Sequence, residues 1–134
     1  MSDESKYLFG ASLRIMDAPS RHEEITTTLG IQPSICHKVG DINPQINKPW
    51  INNIWVIDSP LPKDADFDDH LHWIAHLIAP HEAFLHDLKK EGARMDLYCG
   101  YTTDSIHSGF EVKAESLMPF TRLGISFGVN VMIL

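Results

Sequence analysis

The side chains best placed to do chemistry are histidines, of which the chain has eight. Asp69, His72 and His76 fall at i, i+3 and i+7, so a helix through them carries one carboxylate and two imidazoles on a single stripe. Such a stripe could present ligands to a divalent metal in a small hydrolase or isomerase, given a further ligand and an orienting partner from elsewhere. The plainer account of the same stripe is a solvated helix face. His81-Glu82-Ala83-Phe84-Leu85-His86 approaches the zinc-protease pattern HExxH, but its second histidine comes one residue late. That residue turns it about 140° around the helix from the first, which excludes a zincin. His22 and His37 read as surface or hydrogen-bonding residues.

Nucleophilic catalysis needs a serine or cysteine on a sharp turn after a strand, and no GxSxG elbow is present. Ser108 and Ser126 lack that context. Cys99 falls on the inward side of an alternating strand, where a thiol acts as a small apolar group. Cys36 and Cys99 form no CxxC pair and are too few for a disulfide framework or a structural zinc site. Neither GxGxxG nor GxxxxGK[ST] occurs, so the common nucleotide-binding loops are missing. No catalytic residue and no cofactor is assigned on these grounds.

Three glycines form a less ordinary pattern. Gly10, Gly100 and Gly128 each fall inside a different strand, always on the side opposite the apolar one. Glycine weakens a strand interior and is often found where a ligand or another backbone comes close. If the strands are neighbours, these residues make a shallow floor edged by Ser12, Arg14, Asp96, Tyr98 and Asn130. The expected occupant is the loop at 31–53, a second copy of the chain, or a peptide or small ligand. Bulges or sheet twist are the alternative explanation of the same glycines. Trp50, in a polar loop beside Pro49, joins the binding candidates, whereas Trp55 reads as core.

The elements that must hold these residues follow from periodicity. Residues 6–15 alternate, with Tyr7, Phe9, Ala11, Leu13 and Ile15 on one side, and predict a half-buried strand. Ser20 to Glu23 reads as a capping box opening a helix that stops at Gly30. Residues 31–53 hold three prolines and four asparagines without apolar period and predict a long structured loop. Ile54 to Ile57 is a short strand. A helix capped by Asp66 or Asp68 runs to Ala79, and a second runs from His81 to Glu91. Met95, Leu97, Cys99 and Tyr101 mark another strand, with a return strand expected through Phe110 and Val112. A helix over 116–123 places Pro119 in its first turn, and a strand from Ile125 to Ile133, expected to be central or well paired, completes β-α-β-α-β-β-α-β.

One-sided alternation in three strands suits a two-layer α+β sandwich with a mixed or mostly antiparallel sheet and helices on one face, a ferredoxin-like variant. Its 134 residues make one domain, flexible over residues 1–5. A net charge of -7 opposes approach to phosphate backbones and anionic lipid, so neither nucleic acid nor a membrane is the expected partner. The acidic start is unlike a secretory signal, and no apolar run is long enough to span a bilayer, which points to the cytoplasm. Asp58, Asp64, Asp66, Asp68 and Asp69 crowd one segment, either to meet a basic partner or to complement a helix N-terminus.

Five short motifs follow in order: Ala11-Ser12-Leu13-Arg14-Ile15, Glu24-Ile25-Thr26 leading to Leu29-Gly30-Ile31-Gln32-Pro33, Lys38-Val39-Gly40-Asp41, Ile54-Trp55-Val56-Ile57, and a final strand. Their order resembles the bacterial proteins grouped as domain of unknown function 4279. The resemblance implies a compact α+β domain with no assigned activity or catalytic residues, and a place among accessory or immunity-like proteins. A non-catalytic binding module, with a protein partner or self-association, is the first expectation. The metal-dependent enzyme at Asp69, His72 and His76 is the second.

Overall fold

A computed structural model describes residues 7–134, so the start at 1–5 lies outside the described residues. The long strand β1 (Tyr7–Met16) lies at the centre of the main sheet. It leads through a 3-10 turn at Pro19–Arg21 into α1 (His22–Leu29). The segment after α1 holds β2 (Ile35–His37) and the two-stranded ribbon β3 (Ile42–Asn43) and β4 (Lys48–Pro49), and β5 (Ile54–Asp58) follows. Then come α2 (Phe67–Ile78), a 3-10 turn at Ala79–His81, α3 (Glu82–Lys90), β6 (Arg94–Thr103), α4 (Ala114–Arg122) and β7 (Ser126–Ile133).

The main sheet has five strands in the order β2-β5-β1-β6-β7. All neighbours are antiparallel except β6 and β7, which run parallel because the chain between them crosses over through α4. The helices pack on one side, and the core lies between them and the inward row of Ala11, Leu13, Ile15, Trp55, Ile57, Met95, Leu97 and Cys99. The result is a two-layer α+β sandwich with a mixed sheet. Trp55 is fully buried, and its indole N–H donates to Thr26 Oγ1 at 3.0 Å, tying the sheet to α1. Among the described residues, no helix is long and apolar enough to cross a membrane.

Several local expectations give way to physical reasons visible in the structure. Pro19 starts a 3-10 turn, so Ser20 is already inside helical backbone and no side chain caps α1. Gly30 does stop that helix, in the left-handed region at φ 70, with its N–H on the carbonyl of Thr26. Asp66 precedes α2 without a side-chain cap; its carbonyl takes the N–H groups of Asp69 and His70 instead. Phe110 and Val112 form no strand, because β7 occupies the place beside β6. Phe110 instead stacks its ring among Phe9, Phe67 and Tyr101. The helix α4 begins earlier than expected, which puts Pro119 inside it, where its missing N–H leaves the Glu115 carbonyl without the helical bond. The last strand is paired along its length but lies at the sheet's edge, and its side chains are largely exposed.

Candidate functional site

The register of β1 on β6 runs without a break from Tyr7↔Thr103 to Met16↔Arg94. It sets Gly10 directly opposite Gly100 and Ser12 opposite Tyr98, while Arg14 faces Asp96. On the other side of β6, Tyr98 is level with Gly128 and Gly100 with Asn130. Eight of the nine residues expected on the open face therefore share one patch of three adjacent strands. An unbroken register leaves no place for a bulge at Gly10 or Gly100.

The ninth, Trp50, is elsewhere. It stacks on His37 with ring centroids 3.8 Å apart, and its N–H donates to Asp41 O. His37 lies on the open side of β2, level with Ile54, so this stack closes over the β2–β5 end of the same face. The turn beneath it is held by Asp41, whose N–H bonds Lys38 O and whose carboxylate takes the Lys38 N–H, with Gly40 at φ 93. Part of the long loop thus covers one end of the sheet and leaves the glycine end open.

A cleft of about 370 Å³ stands over that open end. Gly10 and Gly100 line it together with Ser12, Tyr98 and the segment after β5 that supplies Asp58, Ser59 and Lys63, and buried His70 stands behind. Among the described residues a Cβ added at either glycine would meet nothing within 4 Å, and neither has a positive φ. Neither packing among the described residues nor backbone conformation therefore requires glycine at these two positions. Ser12 Oγ donates to Asp58 Oδ1 at 2.5 Å across one rim. Arg14 grips Asp96 with two hydrogen bonds of 2.7 and 2.6 Å and lies over the Tyr98 ring at 4.6 Å, which fixes the far wall. The hydrogen bonds to Asp96 raise the Arg14 pKa despite its partial burial.

Ser59 and His70 make a polar pair behind the cleft, with Ser59 Oγ 2.8 Å from His70 Nδ1. Ser59 Oγ also accepts the Leu61 N–H at 3.4 Å. Among the described residues Nε2 has no hydrogen-bond partner, and the Pro62 backbone favours the charged ring. Burial outweighs that backbone and lowers the His70 pKa. This pair pins the 59–62 turn to α2. Ser59, Lys63 and His70 were not singled out as site residues from sequence, and Asp58 was read only as one member of the acidic segment. One signal was there, since His70 shares the inward stripe of Phe67, Leu71, Ile74 and Ile78.

The structure also bears on the motif order that the sequence presents. Ala11 to Ile15 lies in the central strand, Leu29-Gly30 ends α1, Lys38 to Asp41 is the glycine turn, and Ile54 to Ile57 pairs with the central strand. The model of the family described as domain of unknown function (DUF4279) matches residues 5–134. The chain belongs to this family. No curated protein and no solved structure matches it.

Two further clusters in this DUF4279 chain involve titratable groups. His72 and His76 line a groove of about 390 Å³ between α2 and α4 with Ala75, Ala79, Pro119 and Arg122. Asp69 does not line it. His72 Nε2 instead meets Ser116 Oγ at 3.1 Å. Among the described residues no three His, Cys, Asp or Glu side chains gather as metal ligands, so the stripe lacks the further ligand that the metal site required. The second cluster pairs exposed Cys36 with buried His22, Sγ to Nδ1 at 3.3 Å, which sequence reasoning did not find because α1 and β2 bring the two together. Burial raises the Cys36 pKa and lowers that of His22, so the pair is a neutral thiol on a neutral imidazole rather than an ion pair.

Proposed function

We propose that this chain is a non-catalytic binding module and that its site is the cleft over Gly10 and Gly100. The ligand is an extended basic segment of a partner protein. The observation that carries this reading is the pair of facing glycines that nothing among the described residues requires. A side-chain-free floor lets a peptide main chain approach the sheet closely. Asp58 at one rim offers a carboxylate to a lysine or arginine of the ligand, and Lys63 offers donors to its carbonyls. The net charge of -7 steers a basic partner toward the molecule. An accessory or immunity-like role would use such a surface to engage a basic partner protein.

The acidic segment contributes less than its composition suggests. Asp58 is held by Ser12, and Asp68 accepts the Lys113 N–H at 3.2 Å while also sitting in the first turn of α2. No specific observation favours the metal-dependent hydrolase or isomerase, since no further ligand joins Asp69, His72 and His76 among the described residues.

The test is calorimetric titration of a short lysine-containing extended peptide into the wild type, Gly100→Leu and Asp58→Asn. Both variants are expected to weaken binding about tenfold or more, the loss of about 1.4 kcal/mol or more. Equal affinity in all three, with folded circular-dichroism spectra, contradicts the reading.

A further inference from the structure

We propose that β7 is a dimerisation edge, and that a second copy of this chain pairs with it antiparallel about a two-fold axis. Among the described residues the strand pairs with β6 alone and ends the sheet. Its residues, Ser126 to Ile133, include no charge and no proline. Its register on β6 is unbroken from Asp96↔Ser126 to Thr103↔Ile133, so no bulge twists the edge away. Edge strands usually carry such devices, because a row of unpaired N–H and C=O groups invites another strand. The opposite edge is β2, which is blunted by being only three residues long.

The pattern on β7 selects its occupant. Phe127, Val129, Val131 and Ile133 face the helix side, yet they are 41%, 38%, 56% and 55% exposed because no helix covers them fully. Ser126, Gly128, Asn130 and Met132 face the open side. A strand that extends this edge must repeat the same alternation, apolar toward the helices and small or uncharged on the other side. A second β7 does so by identity. With the two-fold at Asn130, Val129 of each copy meets Val131 of the other, and Phe127 meets Ile133, all on the helix side.

The exposed area sets the scale. Together with Met132, Leu134 and Ile106, which lines a cleft with Val131 and Ile133, these residues present on the order of 600 Å² per copy, so their full burial would give about 1,200 Å² for the pair, the lower bound for specific, stable interfaces. Charge favours the same place, since copies carrying -7 each repel elsewhere but meet here along an uncharged strand.

The experiment is size-exclusion chromatography with light scattering at about 100 µM, well above a micromolar dissociation constant. The wild type is expected at twice the monomer mass. Val131→Lys sets two ammonium groups in an apolar seam and is expected at monomer mass with unchanged circular dichroism, because the residue is exposed in the monomer, and with a melting temperature lowered only by the stabilisation that dimerisation supplies. Val129→Asp replaces it should that variant lose its fold. A monomeric wild type, a dimer that survives the substitution, or open-ended assembly would each overturn the proposal. The cleft over Gly10 and Gly100 lies on other strands, so its peptide titration gives an independent answer.

Discussion

Replacing Gly10 and Gly100 together with alanine separates a glycine that the fold needs from one that a ligand needs. Each added Cβ points into open space, and both backbones keep φ values that alanine adopts without strain. Glycine inside a strand costs roughly 0.5–1 kcal/mol relative to alanine, largely through the freedom of the unfolded chain. The double variant is therefore expected to be more stable than the wild type by about 1–2 kcal/mol. Unfolding entropy is about 2.1 cal/mol/K per residue. Over 134 residues that entropy turns the gain into a melting temperature about 4–7 °C higher. Thermal melts and urea titrations followed by circular dichroism read this directly. The same variant is expected to lose affinity for the lysine-containing peptide, because two methyl groups lift it from the floor. A double variant less stable than the wild type would refute the reasoning, since the glycines would then serve the fold.

Two other outcomes follow from buried groups. His22 and His70 are 5% and 1% exposed, and burial lowers both pKa values, whereas each accepts a proton near pH 6.5 once unfolded. The unfolded chain therefore binds more protons below that pH, so the stability present above it falls as pH drops through 6.5, by up to about 1.4 kcal/mol per pH unit for each histidine. Urea denaturation between about pH 7.5 and 5.5 measures the slope, which His22→Asn with His70→Asn should flatten; an equal slope in the variant would contradict the assignment. Cys99 is fully buried, with its pKa pushed up to about 12, while Cys36 is exposed. Labelling with a disulfide reagent is thus expected to titrate one thiol in native protein and two in denaturant; two fast thiols in the native state would contradict that burial.

The strands β1, β5 and β6 were legible because their inner sides are covered, so their side-chain types match their surroundings. The alternation in β7 is equally clear, but alternation says which side a residue faces and not whether a helix covers that side. Coverage is set by how α4 packs against α2, a contact between distant segments. Phe110 and Val112 looked like a strand because two alternating residues fit either period, whereas Phe110 is partly buried in an aromatic cluster and Val112 against the core. The strands within 31–53 are two or three residues each, too short to show any period. Of the site, the open face was readable from Gly10, Gly100 and Gly128. The facing of Gly10 and Gly100 was not, because it depends on the register of two strands separated by the helices between them. Asp58, Ser59 and Lys63 enter the cleft through a turn whose path is fixed by long-range bonds, Phe9 N–H to Lys63 O at 2.8 Å and Ser59 N–H to Ala11 O at 2.8 Å.

The peptide site has a definite place in the fold, and amide chemical-shift mapping of the labelled protein during titration with the lysine-containing peptide locates it. The cleft assignment predicts that the largest shifts fall on Gly10, Ser12, Ser59, Lys63, Tyr98 and Gly100 and saturate together. Shifts confined to β7, to the α2–α4 groove or to the Cys36–His22 pair, with the glycine amides unmoved, would contradict it.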